Sequence, residues 1–354
     1  MNSKLIHFEK KDENLSKQIK IAIVGCGGGG SNSVNRLHTM GILGNFDTED
    51  SESPVSVETI IINTDIRHLN MMKAHKKLLI GRDITHGNGC GGKPEIGEKA
   101  GENSRRDIME LLEDKDLLFI TVGLGGGTGT GIAPIVAEIA KDNKCVVIVM
   151  ATIPFSFERQ RRAIAEIGLR KLKECADCVL IFENDRIREL GKDYPIDQAF
   201  AFADTHIADI ITSIINILYK PGLINIDFAD FRTVFKNYPG DATMLYGEGP
   251  EDDIEQILDD IFNNPIHNTD FAGAKAALIH ITGSRNLTLE KRNIIIETLT
   301  KDLDNNANII IGDSINIDTE NMVTVFAVIS GIKNINSPVA KGSVVKLEKI
   351  SVKC

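Results

Sequence analysis

The chain has 354 residues and a formal net charge of −10, with 25% charged residues. That length predicts about two domains, each able to bury a core. The acidic balance excludes a general nucleic-acid binder, which would show a basic face. No 18-residue apolar run exists, so no transmembrane helix and no direct membrane insertion are expected.

The first twelve residues lack the apolar core of a signal peptide, and residues 1–19 read as a polar extension. Ile21-Ala22-Ile23-Val24 reads as a strand, then a turn Gly25-Cys26-Gly27-Gly28-Gly29-Gly30-Ser31-Asn32, then a helix from about Ser33 to Met40. The acidic stretch 46–54 reads as a surface loop, and Val57–Ile62 as the next strand. A second glycine segment, Gly87-Asn88-Gly89-Cys90-Gly91-Gly92-Lys93, precedes Pro94, which suits the first turn of a helix. Asp116–Val122 is an apolar run that reads as a buried strand. Gly123-Leu124-Gly125-Gly126-Gly127-Thr128-Gly129-Thr130-Gly131 follows it, and a helix is expected over Ile132–Ala140.

Strands and helices alternate from Lys20 to about Asp204, the pattern of a parallel sheet covered on both faces. Thr205 to Tyr219 predicts one helix, with Ile207, Ile210, Ile211, Ile214, Ile215 and Leu218 on a wide apolar face that suits burial between two domains. Pro221-Gly222 stops it. Beyond, to Ile332, helices over Asp252–Phe262 and Leu289–Leu303 and strands over Ala276–Thr282, Asn308–Gly312 and Met322–Ile329 predict an α+β domain. The boundaries are therefore 20–204, 205–220, 221–332 and a tail 333–354. The six cysteines are scattered, as in a reducing compartment, and Cys175-Ala176-Asp177-Cys178 is a lone CxxC without the four ligands zinc wants.

The stretch Gly123–Gly131 carries the most chemistry. Six glycines and two threonines between a strand and a helix leave backbone N–H groups free to converge on an anion, where the helix dipole helps. Gly25-x-Gly27-x-x-Gly30 fits a dinucleotide fingerprint, but the acid closing the next strand, Asp65, comes too late for it. Gly87–Lys93 fits seven positions of a Walker A loop, but Pro94 stands where a magnesium-binding hydroxyl is required. Three glycine turns, each expected to end a strand and open a helix, instead suggest one nucleotide gripped at the carboxyl edge of a parallel sheet. Hydrolysis needs more: an oriented water and charge compensation. Asn225, Asp227 and Asp230 cluster just past the long helix. If Asp227 opens the next helix, both carboxylates share one face; alternatively, Asp227 is simply an N-cap.

Taken together, the opening glycine loop, Asn63-Thr64-Asp65, Gly89–Glu95, Gly125–Gly131, Pro154-Phe155-Ser156-Phe157-Glu158, Asn184-Asp185 and Pro221–Asp230 occur in the order found in FtsZ, the prokaryotic tubulin-like cell-division GTPases, and the chain resembles that family from about Ile19 to Ile332, with the short tail of an archaeal-type member. The resemblance implies a tubulin/FtsZ-like α/β fold: a parallel-sheet GTP-binding domain joined by a long central helix to a smaller α+β domain. It implies GTP/GDP and Mg²⁺ as cofactors, and head-to-tail self-assembly in which Asn225, Asp227 and Asp230 complete the catalytic site of the adjacent subunit.

By the same resemblance, Gly27, Gly28, Gly29 and Asn32 approach the phosphates, with Asp65 in a neighbouring turn. Cys90, Gly91 and Gly92 lie near the γ-phosphate and its Mg²⁺, and Gly125, Gly126, Gly127, Thr128, Gly129 and Thr130 form the signature loop. Glu158 and Arg162 hold the ribose and phosphate edges, and Asn184 reads guanine with both an amide donor and an acceptor. The second guanine contact falls on Asp204, although counting back from Asn225 lands on Thr205. Lys93, where many relatives carry asparagine, adds a positive charge beside the triphosphate. A division ring at mid-cell in the cytoplasm, a second paralogue and membrane adaptors are the implied setting. The tail, with Val344, Leu347, Ile350 and Val352 among lysines, suggests a short adaptor-binding element. A tubulin-like scaffold that binds GTP with little turnover is the alternative.

Overall fold

The computed structural model describes residues 18–41, 53–186, 195–219, 222–238, 241–264, 270–315 and 321–332. The N-terminal extension, most of the acidic 46–54 stretch, Pro221 and the tail lie outside them.

Six strands form the larger sheet: β1 (Ile19–Cys26), β2 (Val55–Asn63), β3 (Lys76–Leu79), β4 (Leu117–Gly123), β5 (Val146–Ile153) and β6 (Cys178–Glu183). Their order is β3-β2-β1-β4-β5-β6, and every pairing is parallel. Alternate residues serve opposite faces, as a pleated strand requires. Ile21 and Ile23 join one core with Val34 and Leu37 of α1 (Gly27–Thr39), while Ala22 and Val24 join another with Ile132 and Val136 of α6 (Thr128–Asp142). Helices α2 (Ile66–Met71), α3 (Arg82–Thr85), α4 (Pro94–Asn103), α5 (Arg105–Leu111) and α7 (Arg159–Cys175) complete this unit.

The central helix α8 runs Ile196–Tyr219, nine residues earlier than the Thr205 start expected, so Asp204 lies inside it. Its Ile207, Ile210, Ile211, Ile214 and Ile215 are buried in a cluster that also holds Met150 and Phe182 of the first sheet and Met244, Leu278 and Phe326 of the second. The helix is thus wedged between two sheets, as its apolar face predicts. Each buried isoleucine contributes about 1.5–3 kcal/mol relative to exposure.

The second sheet holds β7 (Asp241–Pro250), β8 (Ala276–Gly283), β9 (Asn308–Ile315) and β10 (Met322–Ile332) in the order β7-β10-β8-β9. Strand β10 runs antiparallel to β7 and β8, and β8 runs parallel to β9. Helices α9 (Phe228–Lys236), α10 (Ile254–Asn263) and α11 (Leu289–Thr300) belong to this domain. Strand β7 has no counterpart among the expected elements. A Cβ at its Gly247 or Gly249 would stand within 3 Å of Ile261 or Ile257 of α10, so these glycines serve helix-on-strand packing.

Two expected helix starts move for the same reason. α1 begins at Gly27 and not near Ser33, because its glycines let the first turns lie flush on the sheet: a Cβ on Gly30 would stand 2.0 Å from the Thr121 carbonyl oxygen. α6 begins at Thr128 and not at Ile132, with Gly131 pressed on the Pro94 carbonyl of α4. The 87–93 segment follows the short helix α3 and does not end a strand, but Pro94 does open α4.

Candidate functional site

A cleft of about 860 Å³ opens at the carboxyl edge of the first sheet. Gly29 and Asn32 come from α1 after β1, Gly123 from the end of β4 and Leu124 from just after it, Thr152 from β5 and Pro154 from just after it, Asn184 from just after β6, and Asp204 from α8. This is where an open parallel sheet binds ligands.

The floor of the cleft is backbone. α1 and α6 start side by side: a Cβ on Gly27 would lie 2.5 Å from the Gly129 nitrogen. Neither helix has a side-chain N-cap hydrogen bond or an acid in its first turn. Two sets of N-terminal N–H donors and two positive dipole ends therefore share one spot, a ready anion site. Gly28 and Gly126 have open space where a Cβ would stand, with nothing within 4 Å. Gly91 and Gly92 also face open space, and their φ values of +58° and +76° are ones that glycine adopts without strain.

Other signature residues brace the loops. Gly125 N–H donates to Thr130 Oγ1 at 2.9 Å, so that amide is already used. The Thr128 hydroxyl pairs with that of Thr64 at 2.7 Å, and Thr64 reaches the buried Cys90 Sγ at 3.4 Å. Gly127 has an ordinary φ of −79°; glycine is required there by space, since a Cβ would stand 2.6 Å from that of Cys90. Asp65 caps α2, accepting from the Arg67 and His68 amides at 2.9 and 3.1 Å.

At the rim, Asn184 is buried and its Oδ1 has no hydrogen-bond partner. A buried acceptor left open costs about 1–3 kcal/mol, which a donor on a bound ligand would recover. Asp204 accepts from Ser33 Oγ at 2.7 Å and pairs with Arg36 Nε at 2.9 Å. Burial pushes its carboxyl pKa up, against the pull of Ser33 and Arg36. Thr205 points elsewhere, its hydroxyl bonded to the Ala201 carbonyl. Glu158 lines the cleft and accepts from Phe155 N–H at 3.2 Å. Arg162 is taken up by Asp185 at 3.1 Å and Glu183 at 3.4 Å; its neighbour Arg161, which the sequence did not single out, lines the cleft and pairs with Glu158.

Asn225, Asp227 and Asp230 do not line this cleft. From Asp204, α8 runs 15 residues to Tyr219, about 22 Å at 1.5 Å per residue, before the chain turns into their loop. Helix α9, which Asp227 caps and whose first turn holds Asp230, ends at the sheet's opposite edge: Lys236 Nζ bonds the Cys145 carbonyl just before β5 and pairs with Asp177 just before β6. The N-cap expectation for Asp227 holds. Asp227 caps α9, accepting from Asp230 N–H at 2.8 Å, while Asp230 accepts from Asp227 N–H at 3.3 Å. This reciprocal capping box fixes both carboxylates at one helix end and leaves each with further lone pairs.

Residues 20–192 match the model of the Tubulin/FtsZ family, GTPase domain, and residues 240–333 that of the FtsZ family, C-terminal domain. The chain belongs to the FtsZ family. It is 42% identical over 325 residues to Cell division protein FtsZ 2 of Methanocaldococcus jannaschii, covering 90% of this chain and 82% of that protein. It is 38% identical over 338 residues to Cell division protein FtsZ of Methanothermobacter thermautotrophicus, covering 94% and 84%. The fold matches an empty FtsZ dimer of M. jannaschii with a TM-score of 0.76 at 38% identity over 89% of each chain. It also matches a GTPγS-bound protofilament of CetZ2 from Haloferax volcanii with a TM-score of 0.75 at 20% identity, over 89% and 94%, a likeness of fold.

As an FtsZ-family GTPase domain, the six-stranded unit is built for guanine nucleotide. Among the described residues no helix is long and apolar enough to cross a membrane. The CxxC pair is buried, and burial pushes both thiols up, Cys175 to about 11, so neither offers a ready thiolate.

Proposed function

We propose that this protein hydrolyses GTP as a head-to-tail filament of the division ring, with each active site completed by the adjacent subunit. One observation supports the reading: the uncapped helix ends open the cleft at one edge of the sheet, whereas Asn225, Asp227 and Asp230 lie outside that cleft at the start of a helix that runs to the other edge, so stacking subunits would bring them together. Exposed apolar side chains at both ends suit burial in such a contact. Phe157 at the cleft rim is 69% exposed, and Leu223 beside the acids is 73% exposed.

In this reading, the N-termini of α1 and α6 hold the phosphates, Asn184 and Asp204 take the base, and Glu158 with Arg161 closes the ribose side. The acids of the adjacent subunit orient water on the γ-phosphorus. The bond to the β–γ bridging oxygen breaks, GDP leaves with that oxygen, and the water proton passes to a carboxylate. Mg²⁺, when bound beside the 90–92 turn, would neutralise charge on the phosphates. Adaptors would supply membrane attachment, and a paralogue could share the ring.

The capping box favours one competing reading. Asp227 and Asp230 have a structural job without catalysis, as a GTP-binding scaffold with little turnover would need. Phosphate release against protein concentration separates the two. Shared sites give specific activity near zero below the assembly threshold and a rise above it; a scaffold shows no rise, and activity indifferent to dilution without polymer refutes sharing. Gly28→Ala tests the pocket itself. The added methyl meets no protein atom, so the fold should keep its melting temperature while GTP affinity drops. Equal competition by ATP for bound GTP would refute the roles of Asn184 and Asp204.

A further inference from the structure

The segment 222–226 is irregular, yet it is held in register on β9. Asp313 N–H donates to the Ile224 carbonyl at 3.0 Å, and the Asp313 carbonyl accepts from Leu223 N–H at 2.7 Å and Ile224 N–H at 3.3 Å. Gly222 comes so close that a Cβ would stand 2.3 Å from the Asp313 carbonyl oxygen. Strand β9 is the edge of its sheet, so this segment pairs where a further strand would add. The Asp313 side chain is buried, and both its oxygens are claimed by one residue: Arg292, in the first turn of α11, donates from Nε to Oδ1 and from Nη2 to Oδ2, each at 2.7 Å. Such a planar two-bond fork fixes direction as well as distance, which a lysine could not do.

We propose that Arg292 is a positioning residue for hydrolysis: by locking Asp313 it holds segment 222–226 on β9 and so sets where Asn225, Asp227 and Asp230 project toward the next subunit. This rests on the shared-site reading given above. Arg292 does not line the nucleotide cleft; it acts through Asp313 and the three backbone hydrogen bonds that Asp313 makes to Leu223 and Ile224. A displacement of about 1 Å in a catalytic group can cost about 10²-fold in rate, so a loosened segment has a large lever.

The test uses directional mixing of Arg292→Met with wild-type protein in filaments, following γ-labelled GTP. Label held by variant subunits among excess wild type should be hydrolysed at the wild-type rate, because a wild-type neighbour serves that pocket. Label held by wild-type subunits among excess variant should be hydrolysed tenfold or more slowly. Affinity for a fluorescent GTP analogue should be unchanged, the Leu223 and Ile224 amides should exchange faster, and Arg292→Lys should restore only part of the rate. Equal slowing in both arrangements, or slowing in neither, overturns the proposal, as does unchanged exchange at those amides. If Arg292→Met does not fold, Arg292→Lys and Asp313→Asn are read in the same two arrangements. Asp230→Ala in parallel separates the two claims. Directional slowing for Asp230→Ala without any for Arg292→Met removes only the role of Arg292; no directionality for Asp230→Ala removes the shared site itself.

Discussion

The carboxyl edge of the first sheet and the segment that follows the central helix solve opposite problems. The floor of the cleft is made almost without side chains: α1 and α6 present bare N-termini, and Gly28 and Gly126 leave room for a ligand. The 222–230 segment is made of side chains, with two carboxylates and an amide set around a helix cap and exposed leucine and isoleucine beside them. In the function proposed above, one region offers donors for an anion and the other acceptors for a proton. A donor array can be built from backbone, which tolerates no Cβ, whereas an acceptor array needs carboxylates, which in turn need anchoring.

The contrast breaks most completely at Gly127. A valine there would drive its Cβ to within 2.6 Å of Cys90 Cβ and 2.8 Å of Lys93 N, prising the 90–93 turn from α6. Gly127→Val should bind a fluorescent GTP analogue at least about 10²-fold more weakly, or about 2.7 kcal/mol, with circular dichroism reporting a retained fold. Unchanged affinity would show that the loop does not shape the phosphate site.

At the other region, Asp230→Ala should leave GTP affinity intact and lower turnover per assembled subunit by about 10²–10⁴-fold, the range for positioned acid–base groups. Filaments of this variant should persist after wild-type filaments have disassembled, as light scattering would follow. Wild-type turnover in the variant would assign the acids to capping alone.

An effect on stability alone, with turnover untouched, lies behind the segment, at His280 on β8. Burial lowers its pKa from 6.5 to about 4, partly opposed by the Asp313 charge. The unfolded chain therefore takes up this proton at a higher pH than the folded one. Stability is intact above pH 6.5 and drains as pH falls toward 4, by on the order of 3 kcal/mol. His280→Gln should flatten that limb in unfolding titrations between pH 7 and 4.5; an unchanged slope would place the acid sensitivity elsewhere.

The smallest effect sharpens the double use of the acids. Asp227→Asn keeps a capping acceptor, while Asp227→Ala removes it at about 1 kcal/mol. Thermal unfolding of the GDP-bound, unassembled protein should separate the two variants by that margin, although turnover should suffer in both.

Much of this was legible in the sequence because period and punctuation are local. The apolar runs at Val57–Ile62 and Asp116–Val122, the isoleucine face of α8 and Pro94 at a helix start all sit where spacing puts them. What escaped is tertiary. Glycine is a poor helix former, so Gly27–Gly30 and Gly129–Gly131 read as loop; close approach to Thr121 and Pro94, invisible in a linear pattern, makes them helix. The first turns of α8, over 196–204, escaped as well. At the site, residue types pointed to Asn184 and Asp204, but only packing shows Arg162 consumed by Glu183 and Asp185 while Arg161 takes the rim. The separation of cleft and acids by the length of α8 is likewise a fact of three dimensions.

That separation has an arithmetic consequence. A stack of n subunits contains n − 1 junctions, so in a filament built as proposed one terminal subunit always holds a nucleotide that nothing can cleave. A dimer works at half capacity per subunit, a decamer at nine-tenths. Severing a filament therefore does more than shorten it: each cut shuts down one site and leaves an uncleaved triphosphate at a new end.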